Sequence, residues 1–161
     1  MQTHKILIML FLSTFTNKID KKGRVSVPAN FRNLIRKQEF QGIIVYGSFI
    51  NNCIEACGLD RIAELSDTID KLDPYSAERD AFATTILGGS YQLAFDQDGR
   101  VLLPENLMAK AKLSSSAIFI GKGKTFEIWN PDIFISYKDK AQELALANRE
   151  LLKFNKNEKR D

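Results

Sequence analysis

Two arginines, Arg24 and Arg100, each stand four residues after an aspartate, Asp20 and Asp96, and directly after a glycine, Gly23 and Gly99. The segments that hold them are Asp20-Lys21-Lys22-Gly23-Arg24-Val25-Ser26-Val27-Pro28 and Asp96-Gln97-Asp98-Gly99-Arg100-Val101-Leu102-Leu103-Pro104, set 76 residues apart. A lone Asp-x3-Arg is common by chance. The longer frame D-x-x-G-R-V-x-[VL]-P, present twice, is specific. A guanidinium presents a planar fork of donors that can grip phosphate oxygens or the edge of a guanine. The same pair can also clamp its own turn as an ion pair, worth at most about 1 kcal/mol where it is exposed. The two roles are compatible, since the charge that fixes the turn stiffens the contact.

Catalysis finds no such support. The single histidine, His4, lies close to the N-terminus, and neither Cys53 nor Cys57 has a nearby base. Their C-x3-C spacing lacks a second ligand pair, so no metal site is expected. Alternation along a strand puts both thiols on one face, where they read as small buried hydrophobes. Gly121-Lys122-Gly123-Lys124 has a phosphate-loop flavour but not the G-x4-G-K-[ST] spacing, and reads as a hairpin turn with two exposed lysines. No enzyme and no cofactor are expected.

The 161-residue chain carries a net charge of only +3, but unevenly. Residues 17–37 hold Lys18, Lys21, Lys22, Arg24, Arg32, Arg36 and Lys37 against Asp20 alone, a local +6. Residues 60–82 hold seven carboxylates against three cations, a local −4. This pattern suits a polyanion bound in a defined place, or two solvated faces of opposite sign. The apolar run 6–12 is too short to span a bilayer and reads as a strand or N-terminal extension. Met9 is an alternative start that would leave residues 1–8 as extra sequence.

Positioning the arginines requires a strand at 13–19, a turn with positive φ at Gly23, a strand at 24–27 and a helix begun by Pro28. Strands at 42–49 and 52–57 follow. The second copy repeats this pattern from its turn at Gly99 through a helix begun by Pro104 to strands at 117–121 and 125–129. The unit is thus a duplicated β-turn-β-α-β-β. Helices are expected at 59–72 and 75–87, the latter closed by Gly88-Gly89, and from Pro131 behind an Asn130 cap. The expected division is a first domain at 13–58, a helical linker at 59–89, a second domain at 90–133, and a C-terminal helix with a charged, frayed tail at 134–161.

The repeated D-x-x-x-R unit, the Gly-Arg-Val-x-x-Pro run and Lys124-Thr125-Phe126-Glu127-Ile128-Trp129 together resemble the MraZ family over about residues 9–140. That family comprises bacterial transcriptional regulators with two SpoVT/AbrB-type domains in one chain. The resemblance implies an α+β fold in which two tandem AbrB-like units form a swapped-hairpin β-barrel with flanking helices. It further implies assembly into a ring-shaped homo-oligomer. The partner it implies is double-stranded DNA: repeated boxes upstream of its own operon in the division and cell-wall gene cluster. The signature turns would be Asp20, Gly23, Arg24 and Asp96, Gly99, Arg100.

The DNA contacts expected on this basis are Lys21, Lys22, Arg24 and Arg32 in copy one, with Arg100, Lys122 and Lys124 in copy two. Residues 91–113 are electrically neutral, so copy one should carry most of the phosphate contact. The protein is expected in the cytoplasm, on the nucleoid, without membrane association. A rival reading is a ring-forming structural or interaction module whose basic stretch meets a neighbour's acidic helices. An antitoxin-like binder gripping a toxin through its C-terminal helix fits less well, because a full second copy is present.

Overall fold

The computed structural model describes residues 10–153. Most of the apolar run 6–12, the alternative start at Met9 and nearly all of the charged tail lie outside those residues. Copy one comprises β1 (Thr14–Lys18), β2 (Arg24–Ser26), α1 (Ala29–Ile35), β3 (Gly42–Gly47) and β4 (Ile54–Cys57). Two helices follow, α2 (Leu59–Asp70) and α3 (Ala77–Phe82). Copy two repeats the order as β5 (Tyr91–Ala94), β6 (Arg100–Leu102), α4 (Glu105–Lys110), β7 (Ser116–Gly121) and β8 (Phe126–Trp129).

The result is a mixed α+β fold built on an antiparallel sheet of order β1-β7-β8-β4-β3-β5, beside a two-stranded ribbon of β2 and β6. Apart from the hairpins β3–β4 and β7–β8, every strand pair joins one copy to the other. Exchanging the copies, β1 for β5, β3 for β7 and β4 for β8, maps the strand order onto itself. At the centre of that symmetry β4 meets β8, with Glu55 opposite Glu127.

Residue type explains the layering. Val25 and Val101 pair across the ribbon and point inward, fully buried, onto a core that includes Ile43, Val45, Phe119, Phe126 and Ile128. The rings of Phe11, Phe31 and Phe126 meet at 4.8–5.3 Å between centroids, with Phe15 edge-on to Phe31 at 5.5 Å. Truncating Phe31 to alanine would cost about 3–5 kcal/mol. β3 reads as a continuous apolar run because both its faces are covered. Tyr46 on its second face packs with Ile69 and Ile86 from the helical segment.

Several boundaries differ from expectation. Pro28 and Pro104 stand just outside their helices, with extended ψ of 137° and 135°. Their carbonyls accept the first helical bonds, from Phe31 and Arg32 and from Met108. The helix expected at 75–87 begins at Ala77, where Ser76 Oγ accepts from Arg79 N at 3.2 Å. It ends in a π turn, Ala83–Leu87, where Gly88 has a right-handed φ of −68°. The wider turn closes through Gly88 N to Ala83 O at 2.9 Å.

Among the described residues, those up to Pro131 form one compact unit and those from Asp132 on a second. The second holds most of α5 (Pro131–Ala147), in which Phe134 and Tyr137 pack at 6.2 Å, and a short 3-10 turn, Arg149–Leu151.

Candidate nucleic-acid interface

The two signature turns are built alike, bond for bond. Asp20 Oδ1 accepts from the backbone N–H groups of Lys22 and Arg24, both at 2.9 Å, while Oδ2 accepts from Arg24 Nε at 2.7 Å. Asp96 Oδ1 accepts from Asp98 and Arg100 at 2.9 Å, and Oδ2 from Arg100 Nε at 2.9 Å. Gly23 and Gly99 donate back to the aspartate carbonyls at 3.0 and 3.1 Å. Their φ values, +89° and +75°, lie in the left-handed region that a side chain disfavours. The Arg24 and Arg100 backbone N–H bonds above all hold the two carboxyl groups below the usual carboxylate range.

The turns lead into the ribbon, where Arg24 pairs with Leu102, Val25 with Val101 and Ser26 with Arg100. Partners in an antiparallel pair share a face and successive residues alternate. Arg24, Ser26, Arg100 and Leu102 therefore occupy the outer face, opposite the buried valines. The arginine side chains are 35% and 29% exposed. Lys21 and Lys22 are exposed on the first turn, and among the described residues neither is in an ion pair of 4.0 Å or less.

Charge separates the turns. Among the described residues Arg24 is paired with Asp20 alone, whereas Arg100 has Asp96 at 2.9 Å, Asp98 at 3.4 Å and, across the copies, Asp20 at 3.9 Å. Residues 20–24 sum to +2 and residues 96–100 to −1. A ribbon with arginines on one face and lysines at one end can engage a phosphate backbone and reach base edges.

The other expected contacts are engaged elsewhere. Lys122 Nζ lies 2.7 Å from Oε1 of buried Glu127, which also accepts from Trp129 Nε1 at 2.9 Å. Lys124 lies 3.5 Å from Glu64 on α2. Both lysines follow the Gly121 end of β7, while the 20–24 turn follows the Ser116 end, since Lys18 pairs with Ser116. Five strand steps, about 17 Å, separate the two ends. Arg32 Nη1 donates to the carbonyl of Asp98 at 3.4 Å, in the other copy's turn. Sequence reading did not anticipate the Glu127 network, because a glutamate on a strand looks like an outward residue.

Cys53 and Cys57 are both buried free thiols, pushed up to about 12 chiefly by burial. Glu55 is likewise raised, first by burial.

A family model described as "MraZ protein, putative antitoxin-like" matches residues 86–155. A relative from Rickettsia akari (strain Hartford) is 52% identical over 140 residues, covering 87% of this chain and 94% of its own. One from Rickettsia bellii (strain OSU 85-389) is 55% identical over 141 residues with the same coverage. The chain belongs to the MraZ family. A further MraZ relative, from Rickettsia felis, is 51% identical over 140 residues. All three carry the name "Transcriptional regulator MraZ". The MraZ match reaches into both copies, since 140 or more aligned residues of 161 cannot fit within one.

Proposed function

We propose that this MraZ-family chain is a sequence-specific, double-stranded-DNA-binding transcriptional regulator. The observation that carries this reading is the outer face of the β2–β6 ribbon, with Arg24 and Arg100 braced by identical aspartate turns and Lys21 and Lys22 beside them. The naming of its relatives as transcriptional regulators supports it. A two-stranded ribbon fits the major groove of B-DNA, which is about 12 Å wide. Lys21 and Lys22 would contact phosphates, and Arg24 and Arg100 phosphates or base edges. Arg32, Lys122 and Lys124 serve the protein in this reading, since Arg32 covers the Gly99 turn and the two lysines follow the far end of β7 from the 20–24 turn.

The exchange of strands between copies favours a swapped-hairpin β-barrel made of domains at 13–58 and 90–133, joined by helices at 59–89 and followed by the segment 134–161. Four cations per protomer would give a salt slope of only about −4, so useful affinity calls for several protomers on successive boxes. A ring-shaped homo-oligomer engaging repeated boxes upstream of its own operon, in the division and cell-wall cluster, meets that need. No helix among the described residues is long and apolar enough to cross a membrane. The proposed location is the cytoplasm, on the nucleoid, with no catalysis and no cofactor.

Footprinting on the region upstream of the gene tests the reading. Protection of evenly repeated short boxes is expected. Binding with no preference for that region over unrelated duplex would reject sequence-specific regulation in favour of a structural module.

A further inference from the structure

Arg32 and Met108 occupy the same place in the two copies, four residues after Pro28 and Pro104. Each leaves its own copy and packs on the other's turn. A Cβ at Gly99 would overlap the Arg32 guanidinium, and a Cβ at Gly23 would sit 3.6 Å from Met108 Sδ. Backbone bonds follow the same crossing. Val27 N, in the link between β2 and α1, donates to Gly99 O at 3.2 Å, and Leu103 N, in the link between β6 and α4, donates to Gly23 O at 3.0 Å. Each arginine-bearing turn is thus closed by its own aspartate and braced by the other copy's link and helix.

The two braces differ in chemistry. Met108 lays an apolar thioether against a turn that already holds Lys21 and Lys22, where a guanidinium would be repelled. Arg32 faces the turn that holds Asp96 and Asp98, donates to Asp98 O, and has its Nε buried without a hydrogen-bond partner among the described residues.

We propose that Arg32 is a positioning residue. Through the Asp98–Gly99 backbone it sets the direction in which Arg100 leaves the second turn, so copy two's reading edge is complete only when copy one is interleaved with it. This rests on the ribbon being the DNA-reading face, and it replaces a phosphate contact by Arg32 with an indirect one. The planar guanidinium is required, because a lysine would supply charge to a phosphate but could not cover Gly99 and donate to Asp98 O together.

The test uses the full chain with Arg32→Met, Arg32→Lys and the reciprocal Met108→Arg. Amide hydrogen exchange, read without DNA, is expected to quicken by about tenfold at Gly99 and Arg100 in both Arg32 variants, with Gly23 and Arg24 unchanged. Met108→Arg should loosen Gly23 and Arg24 instead. With a duplex carrying the upstream boxes, both Arg32 variants should lose about 5- to 10-fold in specific affinity, within what a lost base contact costs, with the salt slope unchanged. Unchanged exchange at Gly99 and Arg100 would overturn the proposal. So would a salt slope that falls by about one in Arg32→Met and recovers in Arg32→Lys, the mark of a phosphate contact. If the wild-type chain ignored that duplex, the DNA-binding reading would fail, while the exchange result would still decide whether Arg32 sets the turn.

Discussion

Arg100 Nη1 lies 3.9 Å from Asp20 Oδ2, so the guanidinium of one signature turn touches the carboxylate of the other. The two turns are therefore one electrostatic unit across the ribbon. Arg100 shares three carboxylates where Arg24 has one, and its field is the more nearly cancelled. The copies match in backbone geometry and differ in the charge they present.

Lys21→Ala and Lys22→Ala should each lower affinity across all duplex sequences and reduce the salt slope by about one. Lys124→Ala, engaged by Glu64 and beyond the far end of β7, should leave the slope alone. Fluorescence anisotropy at several salt concentrations checks both.

Lys122→Met should destabilise the fold by about 1–3 kcal/mol, because it strips the cation from buried Glu127. Lys122→Met combined with Glu127→Gln should recover part of the loss. Urea unfolding followed by emission of Trp129, the sole tryptophan and itself bonded to Glu127, reads the effect directly.

Acid should protonate Glu55 first and the two turns last. Asp20 and Asp96 are depressed in the folded state, so their contribution is present above the usual carboxylate pKa of about 3.9 and is lost as pH falls through the lower folded value. Glu55 is raised by burial and has the opposite sign, its folded form becoming more favourable on protonation. Stability should hold or rise slightly from pH 7 to about 4 and then drop. Asp20→Asn should flatten part of that drop in thermal melts across the series.

Cys53 and Cys57, with pKa values pushed up to about 12, should not react with an aromatic disulfide reagent at pH 8 in the native protein. Both should react once guanidinium unfolds it. A stoichiometric native reaction at either would contradict their burial.

The signature turns were legible in the sequence because every part has a local cause: Gly for positive φ, Asp for the free N–H groups, Pro for the helix start. The strand order was not. A hairpin of copy one meets nearly the same pattern in its own partner strand and in copy two's, and alternation cannot say which it joins. Arg32 read as a phosphate ligand for a related reason. Its place in a basic stretch is visible in the chain, but the Gly99 turn it covers is brought to it only by the crossing of copies. Lys122 carried no hint of Glu127 beyond a spacing of five residues, since nothing local marks that glutamate as buried.

The central claim is that the outer face of the β2–β6 ribbon binds DNA, with copy one dominant. Its most direct test is a gel-shift titration of wild type, Arg24→Ala and Arg100→Ala against one duplex carrying the upstream boxes, at a single salt concentration. Arg24→Ala is expected to lose most of the affinity and Arg100→Ala to lose less. Wild-type affinity in both variants would contradict it.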